Sequence, residues 1–102
     1  MSELWKKREL FSRLIPLLIT RMITEGYVPL IGKDGLKHMP KSLHYDGLAM
    51  DIDLFLNNKY CDKTEDHKVF GEYWESLHPD CCWGGSWGAD GNHYSITYLG
   101  RK

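Results

Sequence analysis

Residues 48–56 constrain the fold of this 102-residue chain more than any other stretch. Their side chains alternate in character, which is the pattern of a β-strand with two unlike faces. An aspartate within an apolar strand is costly to bury unless it is paired or bound to a metal. We therefore predict a central strand with one core face and one polar face. The core face carries Met50, Ile52 and Leu54, and the other carries Ala49, Asp51, Asp53 and Phe55.

Asp51 also ends the decapeptide SLHYDGLAMD, residues 42–51, which contains His44. An imidazole nitrogen and a carboxylate oxygen suit zinc, with bonds of roughly 2.0–2.2 Å. Two ligands do not hold a catalytic zinc, and the candidate for a third is His93, three residues after Asp90. Three protein ligands and one water form the open arrangement of a hydrolytic zinc site. If the strand starting at His93 pairs antiparallel beside residues 48–56, His93 and Asp51 converge on one metal.

Three ordered blocks carry a resemblance to a known family: SLHYDGLAMDIDLF, GEYWESL and WGGSWGADGNHYSI. The chain resembles the zinc D,D-/L,D-peptidases of bacterial cell walls, the group of D-Ala-D-Ala carboxypeptidases and dipeptidases. It is most similar to the small phage endolysins that act as L-alanyl-D-glutamate endopeptidases. The resemblance runs from about residue 26 to the C-terminus. It implies a hedgehog/DD-peptidase-like α+β fold, with helices packed on one side of a small antiparallel sheet and a zinc site on the other.

The resemblance also implies roles for individual residues. His44, Asp51 and His93 would bind zinc as the cofactor, and Asp90 matches the position of the catalytic acid/base. Ser42 and Asp53 would lie around the metal ligands, with Asp53 orienting a ligand or a neighbouring loop. Two interpretations stay open for Trp83 and Trp87: they form a wall of the substrate cleft, or they pack their loop onto the sheet.

The chain departs from the family pattern at one position. The relatives carry an arginine before the motif at residues 42–51, where it is thought to bind a substrate carbonyl or carboxylate. This chain has no arginine between Arg21 and Arg101. Lys33 or Lys37 can supply a charge there, but a lysine does not give the planar two-point contact of an arginine.

Length and composition limit the organisation of the protein. The 102 residues predict a single zinc peptidase domain over residues 1–102, without a separate wall-binding domain. A net charge of −1 argues against a nucleic-acid partner. The apolar run at residues 14–19 is too short for a membrane span, so no membrane insertion is expected. We expect a monomer, with three cysteines that stay free thiols.

Periodicity and turn residues predict the remaining elements. Residues 3–25 form an amphipathic helix that Pro16 should kink or divide and Gly26 should end. Pro29 places a strand at residues 27–31 on a sheet edge. A second helix covers residues 66–77, residues 79–92 form a loop, and residues 93–98 form the last strand. The buried stripe expected on the second helix is Val69, Phe70, Tyr73, Trp74 and Leu77. The side chains expected to be solvated are Glu72, Glu75, His67 and His78.

The resulting functional prediction is a zinc metallopeptidase that hydrolyses peptidoglycan stem peptides at the L-Ala-D-Glu bond, as a phage endolysin. Such an enzyme stays in the host cytoplasm until lysis and acts in the periplasm and cell wall, which implies a holin for export. One alternative is a D-alanyl-D-alanine carboxypeptidase. The other is a catalytically weak relative that binds peptidoglycan without cutting it.

Overall fold

The computed structural model describes residues 1–32, 43 and 46–102.

The first helix, α1 (Glu3–Thr24), has a defined beginning and end. The side chain of Ser2 accepts a hydrogen bond from the backbone N–H of Trp5 at 3.0 Å, which caps the N-terminus. At the C-terminus, Gly26 has φ of +94°, and the N–H of Tyr27 donates to the carbonyl of Met22 at 3.0 Å. Since glycine adopts positive φ without a steric cost, the predicted helix stop is confirmed.

Helix α1 continues through Pro16 as one 22-residue helix, so Pro16 does not divide it, contrary to one of the two predicted effects of this proline. A proline removes one helical hydrogen bond and crowds the preceding turn. Here Phe11 and Ile15 on one side of the proline, and Leu18 and Met22 on the other, are all buried. Burial of both halves against one core stabilises the helix across the missing bond.

The sheet is antiparallel and small, as predicted. Its strands are β1 (Val28–Ile31), β2 (Ala49–Leu56), β3 (Lys59–Cys61), β4 (Cys81–Trp83) and β5 (His93–Ile96). Their order is β1-β2-β5-β4, and β3 also pairs with β2. In the described part of the chain β1 pairs only with β2, which confirms the edge position that Pro29 predicts. Asn57 and Asn58 join β2 to β3 with φ of 51° and 65°, the conformation of a tight hairpin turn.

The core lies between the helices and one face of the sheet. Ile52 and Leu54 of β2 and Tyr94 and Ile96 of β5 are fully buried there. Helix α2 (Lys68–Leu77) adds Trp74, whose ring meets that of Phe11 from α1 edge-on at 5.9 Å. The ring of Trp74 also meets that of Tyr94 at 6.4 Å. Both helices therefore cover the same sheet face, and the protein is an α+β fold. No helix in the described part of the chain is long and apolar enough to span a membrane.

Three local predictions are wrong. Cys81–Trp83 is a strand inside the predicted loop at residues 79–92, because these residues pair with β5 and are all buried. The last strand ends at Ile96 instead of residue 98. The stripe on α2 is centred on Phe70 and Trp74, whereas Val69 is 51% exposed. The second helical region begins with a short 3-10 turn, Thr64–His67.

Candidate functional site

Asp51 and His93 lie directly opposite each other on the paired strands β2 and β5. Asp51 Oδ1 is 3.5 Å from His93 Nδ1. Two donors on one tetrahedral zinc, each at about 2.0–2.2 Å from the metal, lie about 3.3–3.5 Å apart. The separation between these two atoms therefore fits a shared zinc ion. Antiparallel pairing of β2 and β5 brings the two side chains together. This agrees with the alternation of side chains along each strand, which places both residues on the face opposite the core.

Backbone hydrogen bonds hold both ligating positions. The carbonyl of Asp51 accepts from the N–H of Gly32 at 2.7 Å, at the end of β1. The N–H of Ile52 donates to the carbonyl of Asn92 at 2.9 Å, immediately before His93. The candidate ligands therefore sit on a hydrogen-bonded sheet, which limits their movement relative to each other.

The predicted ligand His44 and the neighbouring Ser42 lie outside the described residues, as do Lys33 and Lys37. Within residues 1–32, 43 and 46–102, no three His, Cys, Asp or Glu side chains form a group able to hold a metal ion. The described residues that flank His44 are held by contacts with other parts of the chain. Leu43 is buried, and its carbonyl accepts from the N–H of Leu48 at 2.9 Å. Asp46 forms an ion pair with Arg101, near the C-terminus.

Asp90 lies beside the same nitrogen of His93. Its Oδ2 atom is 4.0 Å from His93 Nδ1, and its backbone carbonyl accepts from the N–H of His93 at 3.1 Å. The side chain is half exposed, so it can exchange protons with solvent. A Cβ on Gly84 would lie 2.1 Å from the carbonyl oxygen of Asp90, so only a glycine permits this close packing of the loop. A carboxylate in this position can act as a general base and then as a general acid.

Asp53 lies two residues along β2 from Asp51 and contacts the loop before β5. Its Oδ1 atom accepts from Asn92 Nδ2 at 3.2 Å and from the hydroxyl of Tyr60 at 3.5 Å. The first of these bonds orients the residue next to His93, which is the kind of contact that the sequence interpretation proposed for Asp53. Sequence reasoning missed Asn92, because an isolated asparagine in a turn carries no ligand signal.

The two tryptophans occupy different environments. Trp83 is 6% exposed, and its Nε1–H donates to the carbonyl of Gly91 at 2.7 Å, which packs the loop onto β4. Trp87 is 44% exposed, and its ring meets that of His93 edge-on at 5.9 Å. Trp83 thus has the packing role, whereas Trp87 lies beside the candidate site.

Glu75 holds the loop in place, in contrast to the predicted solvated side chain. It accepts from the N–H of Trp83 at 3.1 Å and from the hydroxyl of Ser86 at 2.9 Å. These two bonds connect α2 to β4 and to the segment between β4 and Asp90. The position could not be identified from helical periodicity, which does not report which loop packs against the helix.

His67 is the largest error in the sequence interpretation. It was expected to be exposed, but it is only 3% exposed, and its Nδ1 atom lies 2.8 Å from the hydroxyl of Tyr94. Burial lowers the pKa of His67, against the opposing effects of Asp66 and Asp53. Burial also raises the pKa of the Tyr94 hydroxyl. The residue after His93 is therefore anchored in the core by a neutral imidazole.

Comparison of the chain with protein-family models, curated proteins and solved structures finds no match. The resemblance to cell-wall peptidases stays a prediction from the motifs.

Proposed function

We propose that this protein is a zinc peptidase that hydrolyses the L-Ala-D-Glu bond of peptidoglycan stem peptides. The observation that carries the proposal is the cross-strand pair of Asp51 and His93, whose Oδ1 and Nδ1 atoms are 3.5 Å apart. Asp90 lies 4.0 Å from the same nitrogen. The motif at residues 42–51 supplies His44 as the third ligand, and the choice of bond rests on the resemblance.

Zinc, when bound, would polarise the scissile carbonyl and make a water molecule more acidic. The carboxylate of Asp90 accepts a proton as the water oxygen forms its bond to the carbonyl carbon. The carbon–nitrogen bond then breaks, and Asp90 delivers the proton to the leaving amine. The hydrogen bond between the carbonyl of Asp90 and the N–H of His93 keeps this carboxylate near the ligands throughout.

As a phage endolysin, the protein would remain in the host cytoplasm until a holin opens the way to the wall. A D-alanyl-D-alanine carboxypeptidase would use the same ligands on a different bond. A peptidoglycan-binding relative would retain zinc and wall binding without cleavage. The products of digestion separate these three functions.

The test is mass spectrometry of peptides released from purified Gram-negative sacculi by the zinc-loaded protein. His93→Ala serves as the control, because it removes one ligand from the Asp51–His93 pair. Released stem peptides that begin with D-Glu would support the proposal. Loss of a single terminal D-Ala would indicate the carboxypeptidase instead, and no release beyond that of His93→Ala would overturn hydrolysis altogether.

A further inference from the structure

A polar cavity of about 120 Å³ lies next to Asp90. It is bounded on one side by residues 60–64 and His67, and on the other by residues 89–92. This volume is well above the roughly 10–15 Å³ that one water molecule needs, so the cavity can hold a small polar group. Asp90 connects this space to the proposed reaction centre.

Two neighbouring residues of opposite charge, Asp62 and Lys63, line this cavity and are exposed. Neither side chain forms an ion pair within the part of the chain that the structure describes. The backbone N–H of Lys63 donates to the carboxylate of Asp66 at 3.1 Å. This hydrogen bond fixes the backbone of Lys63 to the helical turn that follows it. The cavity thus offers the ammonium of Lys63 beside the carboxylate of Asp62, and the carboxylate of Asp90 lines its other side.

The rest of the cavity wall is formed by closely packed residues. His67 lines the cavity. Its Nδ1 atom is hydrogen-bonded to the hydroxyl of Tyr94, so Nε2 is the ring nitrogen available to a ligand. A Cβ on Gly91 would lie 2.5 Å from the Cα of Thr64, so the loop before β5 closes tightly against residue 64. A buried imidazole with one nitrogen already fixed provides a directional hydrogen-bonding group.

We propose that this cavity binds the zwitterionic head group of a diaminopimelate residue in the stem peptide, which deepens and rests on the proposed function. Asp62 pairs with the ammonium of that head group, and Lys63 pairs with its carboxylate. A carboxylate alone would meet the like charges of Asp62 and Asp90, and an ammonium alone would meet Lys63. A group carrying both charges can pair with Asp62 and Lys63 at once, whereas a lysine side chain offers the ammonium alone. Stem peptides with diaminopimelate should therefore bind better than those with lysine.

The experiment is an NMR titration of the 15N-labelled, zinc-loaded protein with two soluble tripeptides. One is L-Ala-γ-D-Glu-meso-diaminopimelate, and the other has L-Lys as its third residue. We expect the wild type to bind the first about fivefold more tightly, an effect of the size of one exposed ion pair. The largest amide shifts should fall on residues 62–64 and 90–92.

Lys63→Met should remove this preference, because the lysine tripeptide lacks the carboxylate that Lys63 contacts. Lys68→Met is the matched control, since Lys68 is an exposed lysine on the next helix and lies outside the cavity. Equal affinities of the wild type for the two tripeptides would overturn the proposal, as would equal behaviour of the two lysine variants. Selective binding without cleavage of sacculi would leave the cavity assignment standing and refute the peptidase. Cleavage of sacculi without this selectivity would refute the cavity assignment and leave the peptidase proposal standing.

Discussion

The Nδ1 atom of His67 lies 2.8 Å from the hydroxyl oxygen of Tyr94, inside the core. This contact joins the turn before α2 to β5, one residue after the candidate ligand His93. Asp51 and His93 face each other on the two central strands, and the bond between His67 and Tyr94 secures β5 in the core. The candidate site therefore depends on a buried polar contact that no local sequence pattern indicates.

The stability of the protein should fall as the pH is lowered, in part through His67. An unfolded histidine has a pKa of about 6.5, and burial lowers the pKa of His67 in the folded protein. As the pH falls through about 6.5, the unfolded chain binds a proton that the folded one does not, so the free energy of unfolding decreases by up to about 1.4 kcal/mol per pH unit. This loss is complete below the lowered pKa.

Urea denaturation at pH 7.5 and pH 5.5 measures the effect. His67→Gln should show a smaller decrease in unfolding free energy between the two pH values than the wild type. His78→Gln is the matched control, because it replaces a histidine that is only partly buried. The same pH dependence in His67→Gln and in the wild type would contradict the prediction.

Substitution of the proposed acid/base should separate zinc binding from turnover. Asp90→Ala should retain stoichiometric zinc, measured by elemental mass spectrometry, and should lower the turnover of stem peptide by roughly 10²-fold or more. His93→Ala should lose both. Glu72→Ala changes an exposed carboxylate on α2 and should affect neither quantity. Near-native turnover of Asp90→Ala would exclude its role as the acid/base.

Gly71→Ala should destabilise the protein, although alanine is the better helix former by about 1 kcal/mol. A Cβ at position 71 would lie 2.0 Å from Cδ2 of the Trp83 ring, so α2 and β4 would have to separate. Overpacking of this kind costs about 1–3 kcal/mol. In Gly88→Ala, the nearest atom to the new Cβ is 3.8 Å away, and a change there should be mild. A higher urea midpoint for Gly71→Ala than for the wild type would refute the clash.

The cysteines should react with a thiol reagent at different rates in the folded protein. Burial raises the pKa of Cys81 to about 12, and burial also raises the pKa of Cys82. At pH 8 both remain protonated and inaccessible. Burial raises the pKa of Cys61 as well, but this thiol is only partly buried, so its accessibility sets it apart. We expect one thiol per chain to react with iodoacetamide faster than the other two, and peptide mapping should locate it at Cys61. Rapid labelling of Cys81 before unfolding would contradict the described packing.

The sequence by itself determined the elements that repeat a local pattern. The alternation of residues 48–56 predicted β2 and its buried residues Ile52 and Leu54. Helical spacing and Gly26 predicted α1 and its end. The proximity of Asp51 to His93 followed once antiparallel pairing was assumed, because residues facing away from the core on neighbouring strands lie on the same side.

Only the tertiary structure decided the parts that depend on distant residues. Cys81–Trp83 became a strand because β5 offered a partner, against a local composition typical of a loop. His67 became buried because Tyr94, 27 residues away, satisfies its Nδ1 atom. Glu75 likewise found Trp83 and Ser86. Polar residues of this kind are buried or exposed according to whether the fold brings a hydrogen-bond partner to them, and no local pattern encodes that partner.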